Sequence, residues 1–156
     1  MTWEPGRGRI QELIDAGEVD RVAPDPKIAR RMLQDAERHL ATAAAAKRAG
    51  DLSGAYQLAY DALRKSAASL LEAQGLRATS RGGHLAVQEA IIAQFGTAVR
   101  AFRSFGRIRR ARNRFEYPSS ETPGPVDDDV DDAVAVATEV RKAAATILDQ
   151  ELLTQW

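Results

Sequence analysis

The sequence predicts an all-α protein: an antiparallel up-and-down bundle of four to five helices, preceded by a short helix. Apolar residues recur at three- and four-residue steps through most of the chain, which is typical of amphipathic helices. Glycine or proline separates these segments, and no segment alternates polar and apolar residues as a half-buried strand would. We expect residues 1–24 to form an N-terminal extension with the short helix, and residues 25–156 to form the bundle.

The first half of the bundle is predicted from its helix boundaries. The short helix runs from Ile10 to Ala16 and stops at Gly17. Asp25 is then expected to cap a long helix that carries Pro26 in its first turn, where a missing N–H does no harm. Its predicted inner face consists of Ile28, Met32, Ala36, Leu40 and Ala43.

The next two helices follow from similar signals. Ser53 is expected to cap the second long helix, which ends at Gly75. Its apolar stripe consists of Tyr56, Ala59, Tyr60, Leu63, Ala67, Leu70 and Leu71. A third segment runs from His84 to Phe95, and Gly96 either breaks it from the following helix or bends it.

An arginine-rich helix is predicted from Ala98 to Phe115, terminated by Pro118. One stripe is apolar and consists of Ala98, Phe102, Phe105, Ile108 and Phe115. The opposite side carries Arg100, Arg103, Arg107, Arg110 and Arg114, which fits either a solvated face or a nucleic-acid track. Arg112 alone projects from the centre of the apolar stripe. Burying an unpaired guanidinium is costly, so Arg112 requires a core carboxylate, a water-filled cleft or an anionic ligand.

The last helix follows the loop SSETPGP and begins with an aspartate cluster. Its apolar positions are Val130, Ala133, Val134, Ala137, Val140, Ala144, Ile147 and Leu148. The cluster consists of Asp127, Asp128, Asp129, Asp131 and Asp132. Carboxylates in a first helical turn complement the helix dipole, and we favour this interpretation over a divalent-metal site.

Composition excludes several classes of function. The chain has 22 basic and 22 acidic residues, which argues against a general polyanion-binding protein. It contains no cysteine, so disulfides, thiolate nucleophiles and Cys-ligated metal sites are excluded. No signal peptide and no run of membrane-spanning length is recognised, and a cytoplasmic protein without membrane contact is expected.

Few side chains outside the arginine helix suggest chemistry. The two histidines, His39 and His84, have no metal-ligand spacing, and packing or capping is the simplest role for each. Tyr56 and Tyr60 lie on an inner stripe, where core packing is more common than function. We therefore predict neither a metal nor a cofactor.

A short run at the end of the arginine helix resembles the signature of the HEPN domain: Arg112-Asn113-Arg114-Phe115-Glu116-Tyr117. In that signature an arginine, often followed directly by a polar residue, is separated from a histidine by four to six positions. The resemblance covers most of the chain. It includes the long first helix, AYQLAYDALRKSAASLL in the second, GGH opening the third segment, and RARNRFEY. The chain is most similar to an actinobacterial-type subgroup of these proteins.

The resemblance implies a homodimer whose two motif helices face each other across a cleft. Many HEPN proteins are metal-independent ribonucleases, often toxins paired with a nucleotidyltransferase antitoxin. By this resemblance Arg112 binds phosphate, Asn113 takes the polar role, and Tyr117 stands where the family has histidine. A free tyrosine has a pKa near 10, against about 6.5 for histidine, which makes it a poor general base at neutral pH.

Three hypotheses for function follow. The first is a dimeric HEPN-like protein of a toxin–antitoxin, stress or defence pair, whose inter-subunit cleft binds nucleotide or RNA with weak or no nuclease activity. The second is an active metal-independent endoribonuclease in which Tyr117 or His84 supplies the acid–base function. The third is a helical protein-interaction module.

Overall fold

The computed structural model describes residues 3–151, 153, 155 and 156. Over these residues the chain forms six α-helices, one 3-10 helix and two short strands. The α-helices are α1 (Arg7–Asp15), α2 (Pro26–Arg48), α3 (Leu52–Gln74), α4 (Gly83–Phe95), α5 (Phe105–Glu116) and α6 (Asp127–Asp149). The 3-10 helix (Arg100–Ser104) precedes α5. The predicted all-α bundle with a short N-terminal helix is confirmed.

Helix α3 is the centre of the bundle. It packs against α2 and α6 along its length and also contacts α4 and α5. Its neighbouring helices can approach α3 closely on several sides only where α3 carries small side chains. Accordingly, four alanines of α3 are fully buried, at positions 55, 59, 62 and 67. The aromatic residues of the arginine-rich stretch complete the core, since Phe102, Phe105 and Ile108 have no exposed surface. The site described below therefore lies where α5 packs against α3 through buried side chains.

The N-terminal segment packs on the bundle through a feature that the sequence pattern did not predict. Strand β1 (Val19–Arg21) pairs antiparallel with strand β2 (Leu76–Ala78), so the expectation of no strands is wrong. Ahead of β1, helix α1 lies on α4 and buries Ile10 and Leu13 in the common core. Gly6 allows this approach, because it has φ +75° and a Cβ there would lie 2.5 Å from the Ala93 carbonyl carbon.

The sequence prediction for α2 is right about the N-terminal cap and wrong about the buried face. Asp25 caps the helix as expected, accepting a hydrogen bond from the Ile28 amide at 3.0 Å. The buried face is rotated by one residue, however: Ala29 and Leu33 are buried, whereas Ile28 is 42% exposed. The rotation brings Ala29 and Leu33 onto the stripe that Ala36 and Ala43 also occupy.

The predicted start of the arginine helix at Ala98 is also wrong. Helix α4 ends at Phe95, and Val99 adopts an extended conformation before the 3-10 helix. Ala98 is exposed and does not belong to the apolar stripe. The chain thus turns sharply between α4 and α5, and the Arg103 side chain fixes this turn by donating to the Gly96 carbonyl at 2.6 Å.

The cap of α3 provides a stability test. Asp51, and not the predicted Ser53, accepts a hydrogen bond from the Gly54 amide at 2.9 Å. We expect Asp51→Ala to lower the free energy of unfolding by about 1 kcal/mol, because an N-terminal amide loses its acceptor. Ser53→Ala is the matched control and should change it by less than about 0.5 kcal/mol. Urea unfolding measures the free energy of unfolding of both variants, provided that its dependence on urea concentration has the same slope as in the unmodified protein. An equal effect of the two substitutions would contradict the assignment of Asp51 as the cap.

Candidate functional site

A groove of about 370 Å³ lies between the start of α3 and the end of α5. Its lining residues are Ser53, Gly54, Tyr56, Gln57, Arg112, Phe115, Glu116 and Pro118. The apolar wall is an edge-to-face pair of Tyr56 and Phe115, with ring centroids 5.0 Å apart. Arg112 is the one cation of this lining, so the groove combines an aromatic wall with a single positive charge.

Arg112 is held mainly by neutral groups. Its Nε donates to the Gln57 Oε1 at 2.7 Å, and its Nη1 donates to the Asn113 Oδ1 at 3.2 Å. The guanidinium carbon lies 5.4 Å from the centroid of the Tyr60 ring, a distance typical of a cation–π contact. The side chain is 20% exposed, so most of it is removed from water while one edge of the groove reaches it.

The acidic partner of Arg112 is Glu116, one helical turn further along α5. Its carboxylate oxygen lies 2.8 Å from the Arg112 Nη1, and the Glu116 side chain is 41% exposed. An i,i+4 pair of this kind at the surface contributes only about 0.3–0.5 kcal/mol. The interpretation of Arg112 as the anchor of a salt bridge with a core carboxylate is therefore wrong: the carboxylate stands at the rim of the groove.

Asn113 and Tyr117 complete the run but differ in environment. Asn113 is exposed and orients the Arg112 Nη1 through its side-chain oxygen. Tyr117 is the residue after the last helical position, with φ −116° and ψ 70°, and it is 76% exposed. Its hydroxyl makes no hydrogen bond to the part of the chain that the structure describes. The roles assigned to both residues by the HEPN resemblance stay predictions.

His84 lies away from the groove, on the first turn of α4. Its Nδ1 is 2.9 Å from the hydroxyl of the buried Tyr60, and the two rings are 5.6 Å apart. Burial lowers the pKa of His84 below its usual value, and the positive charges of Arg64 and Arg112 lower it further. Burial also raises the pKa of Tyr60 to about 12, so the Tyr60 hydroxyl keeps its proton at neutral pH.

The other side chains considered from the sequence have structural environments. The Tyr56 hydroxyl donates to the Ile108 carbonyl at 3.4 Å. His39 lies 2.9 Å from the Lys65 Nζ, and burial followed by the charge of Lys65 lowers its pKa. Over the described ranges, no group of three or more His, Asp or Glu side chains is arranged to hold a metal ion.

The aspartate cluster is engaged electrostatically. Asp129 accepts the Val126 amide at 2.8 Å, and Asp131 lies 2.6 Å from the Lys47 ammonium. Asp132 forms an ion pair with Arg107, which ties α6 to α5. These contacts favour the interpretation that the cluster stabilises the start of α6.

Sequence reasoning missed two groove residues. Gln57 was not considered because its contact with Arg112 joins two helices that are distant in sequence. Glu116 could have been found, since the i,i+4 spacing from Arg112 places the two side chains on one helical face.

Comparison with known families identifies the fold. A family model described as "HEPN domain" matches residues 29–148. The chain belongs to the HEPN family. The matched region contains Arg112, Asn113, Tyr117 and His84, and it includes all of helices α3, α4 and α5. Searches of curated proteins and of solved structures gave no match to this HEPN domain. Within its described residues, no α-helix is long and apolar enough to cross a membrane.

Proposed function

We propose that this HEPN domain is a homodimer that binds nucleotide or RNA phosphate at Arg112, with weak or no nuclease activity. The HEPN family as a whole points to nucleotide- or RNA-related function, often in toxin or defence systems. A toxin–antitoxin or stress-defence pair with a nucleotidyltransferase-like antitoxin is the proposed setting. The proposal requires neither a metal nor a cofactor.

The observation that carries the proposal is the fixed orientation of the Arg112 guanidinium, whose one acidic partner among the described residues, Glu116, stands at the rim of the groove. Two amide oxygens, from Gln57 and Asn113, fix the direction of the guanidinium without cancelling its charge. The only carboxylate in contact with it within the described chain is half-exposed and can swing toward water. A preoriented guanidinium forms strong charge-assisted hydrogen bonds to phosphate oxygens, often in pairs.

The partly exposed Phe115 ring supports a nucleotide over a bare anion, whereas Tyr56 is only 3% exposed and lies behind it. Tyr56 and Phe115 stand beside Arg112 in the same groove. Aromatic faces stack on nucleobases with little sequence preference, while arginine contacts the backbone. Tyr117, the residue after the end of α5, is 76% exposed, and its hydroxyl is available as a hydrogen-bond donor.

HEPN domains commonly form dimers, and the geometry of α5 suits this arrangement. Asn113 and Tyr117 are exposed on the same helical end as Arg112, so a second subunit placed against α5 would bring two copies of the groove together. We expect light scattering at micromolar concentration to give a mass near twice 17.0 kDa. If the protein is a monomer and still binds RNA, the second subunit is not part of the binding site.

Glu116 provides a test of the groove itself. Its carboxylate occupies the Arg112 Nη1 where a phosphate oxygen would bind, so Glu116→Gln should tighten binding of a 2′-O-methyl oligouridylate several-fold. Glu139→Gln, on the exposed side of α6, changes net charge equally and is the matched control. Fluorescence anisotropy at constant salt measures both affinities. Equal tightening by the two variants would show that general charge, and not Arg112, controls binding.

One observation favours the active ribonuclease as a second candidate. His84 is hydrogen-bonded to Tyr60, and its lowered pKa keeps the imidazole neutral at physiological pH. A neutral imidazole near a phosphate-binding arginine is a suitable acid–base group. Cleavage assays with variants of Tyr117 and His84, described in the Discussion, separate the two candidates.

A further inference from the structure

A second group of polar side chains lies on the other side of Arg112, where three helices meet. All of its members are partly exposed: Gln57, Asp61 and Arg64 on α3, His84 and Gln88 on α4, and Arg109 and Arg112 on α5. We call this group the three-helix patch. It contains three arginines and one carboxylate, so its net charge is positive even when His84 is neutral.

Two arginines of the patch are oriented in the same way. Arg109 donates through its Nε to the Gln88 Oε1 at 2.8 Å, as Arg112 does to Gln57. Gly106 makes this possible, because a Cβ at that position would lie 2.8 Å from the Gln88 Nε2. Each guanidinium is thus fixed through Nε by a neutral amide. The Arg112 Nη1 also contacts Asn113 and Glu116, but the Arg112 Nη2 and the terminal nitrogens of Arg109 make no hydrogen bond among the described residues.

Arg64 is the third arginine, and its charge is poorly compensated. Its Nε is buried without a hydrogen-bond partner among the described residues. Its nearest carboxylate, Asp61, lies 3.8 Å from its Nη2, which is beyond hydrogen-bonding distance. Buried polar atoms without hydrogen-bond partners are rare in native proteins, so this nitrogen of Arg64 requires an explanation.

His84 stands among these arginines with one ring nitrogen already engaged. The Tyr60 hydroxyl holds Nδ1 at 2.9 Å, and the Arg112 guanidinium covers the face of the same Tyr60 ring. The charged groups that face His84 are Asp61 and Arg64 from α3 and Arg109 and Arg112 from α5. The remaining nitrogen, Nε2, makes no hydrogen bond within the residues described.

We propose that the three-helix patch binds the phosphodiester backbone of single-stranded RNA next to the phosphate held by Arg112, and that His84 Nε2 contacts it directly. The inference rests on anion binding at Arg112 and extends it by a second phosphate position. A single strand that stacks on the partly exposed Phe115 would continue from the groove across Arg112 to Arg109 and Arg64.

Proton uptake follows from this arrangement. Burial, followed by the charges of Arg64 and Arg112, lowers the pKa of His84 in the free protein and so disfavours its imidazolium form. A bound phosphodiester adds negative charge beside the ring, which favours the imidazolium and raises the pKa of His84. RNA affinity should therefore increase as the pH falls, by up to about tenfold per pH unit between the free and bound pKa values.

The chain suits a direct test, because it has only two histidines. The probe is a short 2′-O-methyl oligouridylate without terminal phosphates, which the protein cannot cleave and whose backbone does not titrate near neutral pH. Proton NMR follows the imidazole resonances against pH with and without the probe. We expect the pKa of His84 to rise on binding, whereas His39, which lies beside Lys65, serves as the internal control and stays unchanged. The variant His84→Gln should bind more weakly than the unmodified protein, and its affinity should not increase as the pH falls.

Three results would overturn the inference. Probe binding that requires Arg112 but leaves the pKa and resonances of His84 unchanged would restrict the site to the groove, with the proposed function intact. Equal shifts of both histidines would indicate nonspecific polyanion binding. Absence of probe binding at every pH would reject both the patch and the function proposed for Arg112.

Discussion

Replacing Arg112 with methionine should remove RNA binding while leaving the protein folded. Methionine keeps most of the side-chain volume and removes the charge. The loss of charge-assisted hydrogen bonds, at about 1.5–3 kcal/mol, corresponds to roughly tenfold to a hundredfold weaker binding. The measurement is fluorescence anisotropy with the 2′-O-methyl oligouridylate, and Arg110→Met is the matched control, because Arg110 lies on the exposed face of the same helix.

The stability of the same variant checks the structural interpretation. Removing one partner of a buried ion pair costs about 3–5 kcal/mol, because the other charge stays buried. Glu116 is half-exposed, so Arg112→Met should change the free energy of unfolding by less than about 1 kcal/mol. If Arg112→Met instead lowers the free energy of unfolding by several kcal/mol and binds RNA as well as Arg110→Met does, the role of Arg112 is purely structural.

The unmodified protein should cleave RNA weakly or not at all, and Tyr117→His should increase cleavage by about a hundredfold or more. The reason is protonation: a histidine titrates near neutral pH, so it can both accept and donate a proton during attack by the ribose hydroxyl. The position accommodates the change, since Tyr117 lies beyond the last helical turn and is 76% exposed. The assay detects fragments with cyclic-phosphate ends in the presence of a chelator.

Three further variants make the cleavage result decisive. Adding Arg112→Met to Tyr117→His should abolish the gain, which links the activity to the groove. Robust cleavage by the unmodified protein that is lost in Tyr117→Phe would replace the inactive-cleft proposal with an active ribonuclease. Cleavage that survives Tyr117→Phe but disappears in His84→Gln would assign the acid–base role to His84.

The helices could be predicted from sequence where the signal is local. Asp25 caps α2 because cap and amide are three residues apart, and Phe102, Phe105 and Ile108 were predicted as core by their spacing. Asp51 and Ser53 are both good cap residues two positions apart, so local chemistry could not decide between them. Strands of three residues are too short to show alternation, and their pairing depends on a partner more than fifty residues away.

The candidate site was predictable only in part for the same reason. A helical wheel identifies Arg112 as the one charged residue on an apolar face of its helix, but it cannot show which residues of other helices contact it. Gln57 reaches it from α3, and Gln88 reaches Arg109 from α4, so both contacts depend on how the helices pack. The HEPN motif identifies Arg112, Asn113 and Tyr117 by position alone, which is why it gave no indication of the three-helix patch.

The N-terminal segment also limits how two subunits can meet. Helix α1 lies along α4, and Trp3 packs on Phe95 with ring centroids 5.0 Å apart. The chain therefore screens that flank of α4 with its own first residues, and a neighbouring copy cannot dock there without displacing them. The family match begins only at residue 29, so this screen lies outside the matched HEPN region. The N-terminal segment leaves the opposite flank uncovered, where the first turn of α4 and the end of α5 carry polar side chains. If the protein dimerises as proposed, that flank is the one open to a second copy.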